Sequence, residues 1–206
     1  GIKKQASILI KEGKIAKIIE NQQELDALQI NSCDRINALG CIVAPGLVDV
    51  HVHFRDPGFT HKEDIETGAK AALRGGFTSV VLMANTNPVV DNAETLTYVL
   101  EKGKKTDLKV YTCATVTKGM SGKELTDMEL LFAKGAVGFT DDGKPILDTM
   151  ILEQALKKAA ALKVPVSLHE ENPAYIQNNG VNAGTAAEYF KIAGSPREAE
   201  ISMIER

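Results

Sequence analysis

Leu47-Val48-Asp49-Val50-His51-Val52-His53-Phe54-Arg55-Asp56-Pro57-Gly58 is the stretch on which the reading of this chain turns. A short apolar run, Leu47 to Val50, passes into a polar cluster at His51, and Pro57-Gly58 then forces a turn. The same order of apolar run, polar loop and helically spaced segment recurs downstream. The later runs are Thr78 to Met83, Lys109 to Ala114, Ala136 to Phe139 and Val164 to Leu168. They are nearly continuous in Val, Leu, Ile, Phe or Ala, as strands covered on both faces of a parallel sheet are. Between them the spacing predicts helices at 62–74, 91–103, 123–134 and 149–162. Asp91 with Glu94 has the spacing of a capping box for the second, and Ile151, Leu152, Ala155, Leu156 and Ala159 form an apolar stripe on the fourth. Gly75-Gly76, Gly103 and Gly135 fall where helix C-terminal caps are wanted. The alternation argues for an α/β fold built of βαβ units around a parallel sheet, either doubly wound or barrel.

Upstream, residues 7–19 read as two β-rich runs around Glu12-Gly13-Lys14, a small antiparallel hairpin, and the composition changes near residue 40. The 206 residues are 44% hydrophobic and 25% charged, the range of an ordinary globular protein. No apolar run approaches the roughly 20 residues of a membrane span, and the amino terminus shows neither a basic region nor an apolar signal core. These features set the expectation of a cytoplasmic protein. A net charge of -3 without single-sign blocks gives no footprint for nucleic acid or an anionic membrane. The three cysteines, Cys33, Cys41 and Cys113, have no CxxC spacing and are expected to be buried small residues in a reducing compartment.

The chemistry gathers at the carboxyl ends of the strands. Side chains at i and i+2 of a strand share a face, so His51 and His53 project into one space, and imidazole is a good zinc ligand. Thr140-Asp141-Asp142-Gly143 follows the fourth run, and His169-Glu170-Glu171-Asn172 ends the fifth. Alone, an HxH also suits a strand end, the Asp pair a solvated turn, and His169 a core histidine; their common rim favours a hydrolytic metal site. Arg55, on the face of His53 if the strand persists, suits bidentate capture of a substrate carboxylate, and Asn85 in Asn85-Thr86-Asn87-Pro88 could hydrogen-bond a carboxylate or carbonyl. His61 is assigned no role.

The motifs at 49–58, 85–88, 138–143 and 169–172 together resemble bacterial dihydroorotase of the class I type, in the cyclic amidase branch of the amidohydrolase superfamily. The resemblance covers essentially the whole chain. It implies a (β/α)8 TIM-type barrel of which about the first five βα units are present, in residues 43–206, and part of a small β-sandwich domain with its lead-in, in residues 1–42. It further implies a zinc enzyme that interconverts N-carbamoyl-L-aspartate and dihydroorotate in pyrimidine (UMP) biosynthesis. His51 and His53 would bind the first of one or two zinc ions, Asp142 would bridge if there are two, and His169 would bind the second. Arg55 and Asn85 would hold the substrate carboxylate. Many relatives bridge their metals with a carbamylated lysine, and Asp142 at the matching place removes that expectation. A homodimer and association with an aspartate carbamoyltransferase are further partners the resemblance admits.

The general acid of the family, an aspartate on the last strand, is expected beyond Arg206, because only five of eight strands can be read. With Gly1 in place of an initiator methionine, this points to an amino-terminal piece of a longer enzyme. Ala84, Phe54 and Asp56 depart from the proline, leucine and glutamate common in the family. The competing readings are a dihydropyrimidinase or allantoinase, against which Arg55 and Asn85 weigh, and a non-catalytic paralogue, whose signature would be lost ligands.

Overall fold

The computed structural model describes residues 5–28, 35–178 and 180–206, and the chain divides into two compact units after Ala44. In the first, β1 (Ser7–Lys11) and β2 (Lys14–Ile19) pair antiparallel. Glu12 and Gly13 both have positive φ, the geometry of a type I′ turn whose twist matches the flanking strands. A short helix α1 (Gln22–Ala27) follows, its first turn capped by the Asn21 side chain and tied to β2 by the Lys17–Glu24 ion pair at 2.7 Å.

The second unit carries the βα repeats. Strands β3 (Leu47–Val52), β4 (Phe77–Leu82) and β5 (Lys109–Thr112) lie side by side, all parallel, and β6 (Phe139–Thr140) pairs parallel with β7 (Val166–Ser167). A parallel bridge between Ala114 and Phe139 joins the two sets, with Ala114 N donating to Gly138 O and Thr140 N to Ala114 O. The strands therefore run β3-β4-β5-β6-β7 in chain order. Helices α2 (Ile65–Arg74), α3 (Ala93–Gly103), α4 (Met128–Ala133) and α5 (Thr149–Leu162) are the crossovers. Ile65, Leu96, Met128, Leu131 and Phe139 are fully buried where helices meet sheet. Two glycines allow the close approach: a Cβ on Gly68 would come within 2.6 Å of the Phe54 ring, and one on Gly103 within 2.7 Å of Val110.

The structure corrects several local expectations. Leu47, Val48 and Val50 are exposed, and β3 is an edge strand among the described residues; β4 is fully covered on one face only, that of Val80 and Leu82, while Ser79 and Val81 on the other are half-buried. The cap of α3 is Asn92, whose side chain accepts from Thr95 N, while Asp91 turns to Gly119 N in the neighbouring loop. α4 starts only after Asp127, because Thr126 N bonds Val116 O and its hydroxyl bonds Thr115 O, holding the preceding residues as a loop against the segment that follows β5. α2 starts after Asp64, in a capping box with Thr67. Cys113 is buried, and burial pushes its thiol up to about 11, but Cys41 is exposed; Cys33 lies outside the described residues. Two short helices, α6 (Thr185–Phe190) and α7 (Glu198–Ile204), occupy a region to which the sequence assigned no element.

Candidate metal centre

The parallel register brings the ends of β3, β6 and β7 to one rim, and Asp142 is their meeting point. Its Oδ2 lies 3.6 Å from His51 Nε2 and 3.4 Å from His53 Nε2, while Oδ1 lies 3.5 Å from His169 Nδ1. The two β3 histidines stand edge to face, ring centroids 5.2 Å apart. Donor atoms of His51, His53 and Asp142 all fall within 4.8 Å of one another. These separations exceed ordinary hydrogen bonds and match the spacing of about 3.3 Å between two donors on a tetrahedral zinc. The residues thus fit a shared divalent ion, and the nitrogen and carboxylate donors are those of a hydrolytic rather than a thiolate site.

Asn85, in the loop that follows β4, fixes part of this arrangement. Its Nδ2 is 3.3 Å from both the backbone oxygen and Oδ2 of Asp142, which can only accept, so Oδ1 faces His53 Nδ1 at 2.9 Å. His53 Nδ1 therefore carries the proton, and the lone pair is left on Nε2, toward Asp142. Asp142 N in turn donates to Thr140 Oγ1 at 3.0 Å. His169 Nε2 lies 3.1 Å from Glu171 Oε2, which leaves Nδ1 on the Asp142 side.

The adjacent Asp141 points the other way. It is 2% exposed, and its carboxylate accepts from Val116 N at 2.8 Å, Thr117 N at 3.1 Å and the Thr117 hydroxyl. Burial raises its pKa, opposed by those donors, and its work is to hold the loop after β5. The strand does not persist to Arg55, the condition on which it would share the face of His53. β3 ends at Val52 and Arg55 is left-handed at φ +59, so the i, i+2 face argument fails for it. Among the described residues its guanidinium has no hydrogen-bond or ion-pair partner, leaving a free cation on the loop that follows the HxH.

Sequence reasoning missed Asp56. It is fully buried and accepts from Lys102 Nζ at 2.6 Å, Tyr98 Oη at 2.9 Å and Ile65 N at 3.3 Å. The hydrogen bond to Asp56 holds the Lys102 ammonium above its usual range; burial, then the same acceptor, raises the Tyr98 phenol. The only sequence signal was a carboxylate immediately before Pro57-Gly58.

Residues 40–206 match the family described as dihydro-orotase-like. The chain is 52% identical over 199 residues to the dihydroorotase of Clostridioides difficile, covering 97% of this chain and 46% of the relative. It is 50% identical to that of Clostridium acetobutylicum (95% and 47% covered) and 47% identical to that of Streptococcus pneumoniae (100% and 47%). The chain thus spans about half the length of the curated relatives it matches. In fold it is similar to the L-hydantoinase (dihydropyrimidinase) of Arthrobacter aurescens, with a TM-score of 0.67 and 22% identity over 84% of this chain and 38% of that one. The HxH rim, the parallel βα order and the family match converge: the chain belongs to the dihydro-orotase-like family.

Proposed function

We propose that the full-length protein is a zinc-dependent dihydroorotase that interconverts N-carbamoyl-L-aspartate and dihydroorotate in pyrimidine biosynthesis. The observation that carries this reading is the double engagement of Asp142, with Oδ2 toward His51 and His53 and Oδ1 toward His169. Those four residues would hold zinc, His51 and His53 a first ion and His169 a second, with Asp142 between them. Zinc bound there supplies a water acidified toward neutral pH and a polarised carbonyl. The protein's own residues do the rest: Asn85 holds His53 in its ligating tautomer, and Arg55 offers a bidentate fork to the substrate carboxylate. Asn85 contributes to the same carboxylate through Nδ2, whose contacts with Asp142 are both long at 3.3 Å.

In this reading residues 43–206 form the first five βα units of a (β/α)8 barrel and residues 1–42 part of a small β-sandwich. The general acid is supplied by an aspartate of a later strand. In this reading the protein works in the cytoplasm on a small-molecule substrate, and a homodimer and association with an aspartate carbamoyltransferase are the assemblies that the resemblance admits. Among the described residues no helix is long and apolar enough to cross a membrane. The test is turnover by the full-length enzyme of dihydroorotate against dihydrouracil and allantoin, which lack its carboxylate. Preference for dihydroorotate is expected; preference for either of the others would overturn the assignment.

A further inference from the structure

The loop that carries Arg55 is pinned from two sides. On one side the buried Asp56 carboxylate reaches two elements, accepting from Ile65 N at the start of α2 and from Tyr98 and Lys102 on α3. On the other, Pro57 O accepts from Asn87 N at 3.0 Å, and Gly58, at φ +91, lies where a Cβ would meet the Asn87 carbonyl oxygen at 2.0 Å. Immediately before these anchors Arg55 holds a left-handed backbone, which a residue with a side chain adopts only when its surroundings dictate it, and its carbonyl oxygen accepts from Phe59 N at 2.9 Å across the turn.

We infer that Asp56, Lys102 and Tyr98 are positioning residues: their buried network aims the Arg55 guanidinium and so governs capture of a carboxylate-bearing substrate. The inference rests on the proposed role of Arg55. A buried ion pair adds little net stability over an apolar filling of the same space, but it selects one arrangement, because every displacement leaves a charge unpaired. Lys102 reaches Asp56 over the sheltered part of its stem, with 26% of its side chain exposed, and its ammonium lies 5.9 Å from the Tyr98 ring centroid. The three side chains come from two loop and helix segments and touch no residue of the metal rim, so their influence on turnover passes through the Arg55 loop.

Steady-state kinetics on the full-length enzyme with N-carbamoyl-L-aspartate tests this, using Asp56→Asn, Lys102→Met and Tyr98→Phe beside Arg55→Ala. The expected result for Asp56→Asn and Lys102→Met is a KM raised about tenfold with kcat lowered less than about threefold, and a smaller rise in Tyr98→Phe. A network that only supports the fold would lower kcat through the fraction of active molecules and leave KM unchanged; that result overturns the inference. If Asp56→Asn does not fold, Lys102→Met, altered at a partly exposed side chain, gives the same readout. A raised KM in Arg55→Ala with normal KM in the network variants overturns the inference alone. An unchanged KM in Arg55→Ala overturns it together with the role given to Arg55.

Discussion

Asn85 Oδ1 lies 2.9 Å from His53 Nδ1, and that contact decides which nitrogen of the ring faces Asp142. Removing the amide frees the imidazole to rotate and to take the other tautomer. Asn85→Ala in the full-length enzyme is therefore expected to weaken zinc binding about 10–100-fold, read by competition with a chromogenic chelator. Unchanged affinity would mean that packing alone orients His53.

Asp141 and Asp142 are neighbours with opposite duties. Asp141→Ala strands two backbone N–H groups and the Thr117 hydroxyl in the interior, and is expected to cost about 2–4 kcal/mol, measured by urea unfolding. The zinc content of the molecules that remain folded should be unchanged.

Gly103 closes α3 against Val110 of β5. Gly103→Ala places a methyl 2.7 Å from Val110 Cβ and should cost about 1–3 kcal/mol by overpacking, seen as a lowered melting temperature. Stability equal to the wild type would show that α3 can move away from the sheet.

Lys102 and Tyr98 both hold their protons more tightly folded than unfolded, since their pKa values are raised from 10.5 and 10.0. Their contribution to stability is full below the unfolded values and is lost as pH rises through the raised folded ones. Melting temperature should fall as pH climbs past about 10, and Lys102→Met should flatten that decline. Tyr98, whose phenol is raised by burial and by its hydrogen bond to Asp56, remains in that variant and sets its residual slope.

The sequence showed what depends on short-range pattern. The boundaries of α5, from Thr149 to Leu162, follow from its apolar stripe and from Asp148, which caps Met150 N and Ile151 N. The HxH was readable because strand geometry alone puts His51 and His53 together. What escaped depends on distant partners. Asp56 meets Tyr98 and Lys102 at separations of 42 and 46 residues, and no local pattern marks such a pair. The start of α4 was lost to Thr126, a residue with helical spacing whose hydroxyl bonds the Thr115 carbonyl in the loop after β5. α6 and α7, of 6 and 7 residues, have no side-chain cap to announce them. Whether Arg55 stays on the face of His53 depended on the strand persisting, and nothing local shows that β3 stops at Val52.

The most direct measurement is the zinc content of the full-length enzyme and of its His51→Ala/His53→Ala variant, taken together with dihydroorotate ring opening by the same samples. Bound zinc and activity are expected in the wild type, and loss of ring opening with loss of zinc from the first site in the variant. Ring opening retained without metal would contradict it.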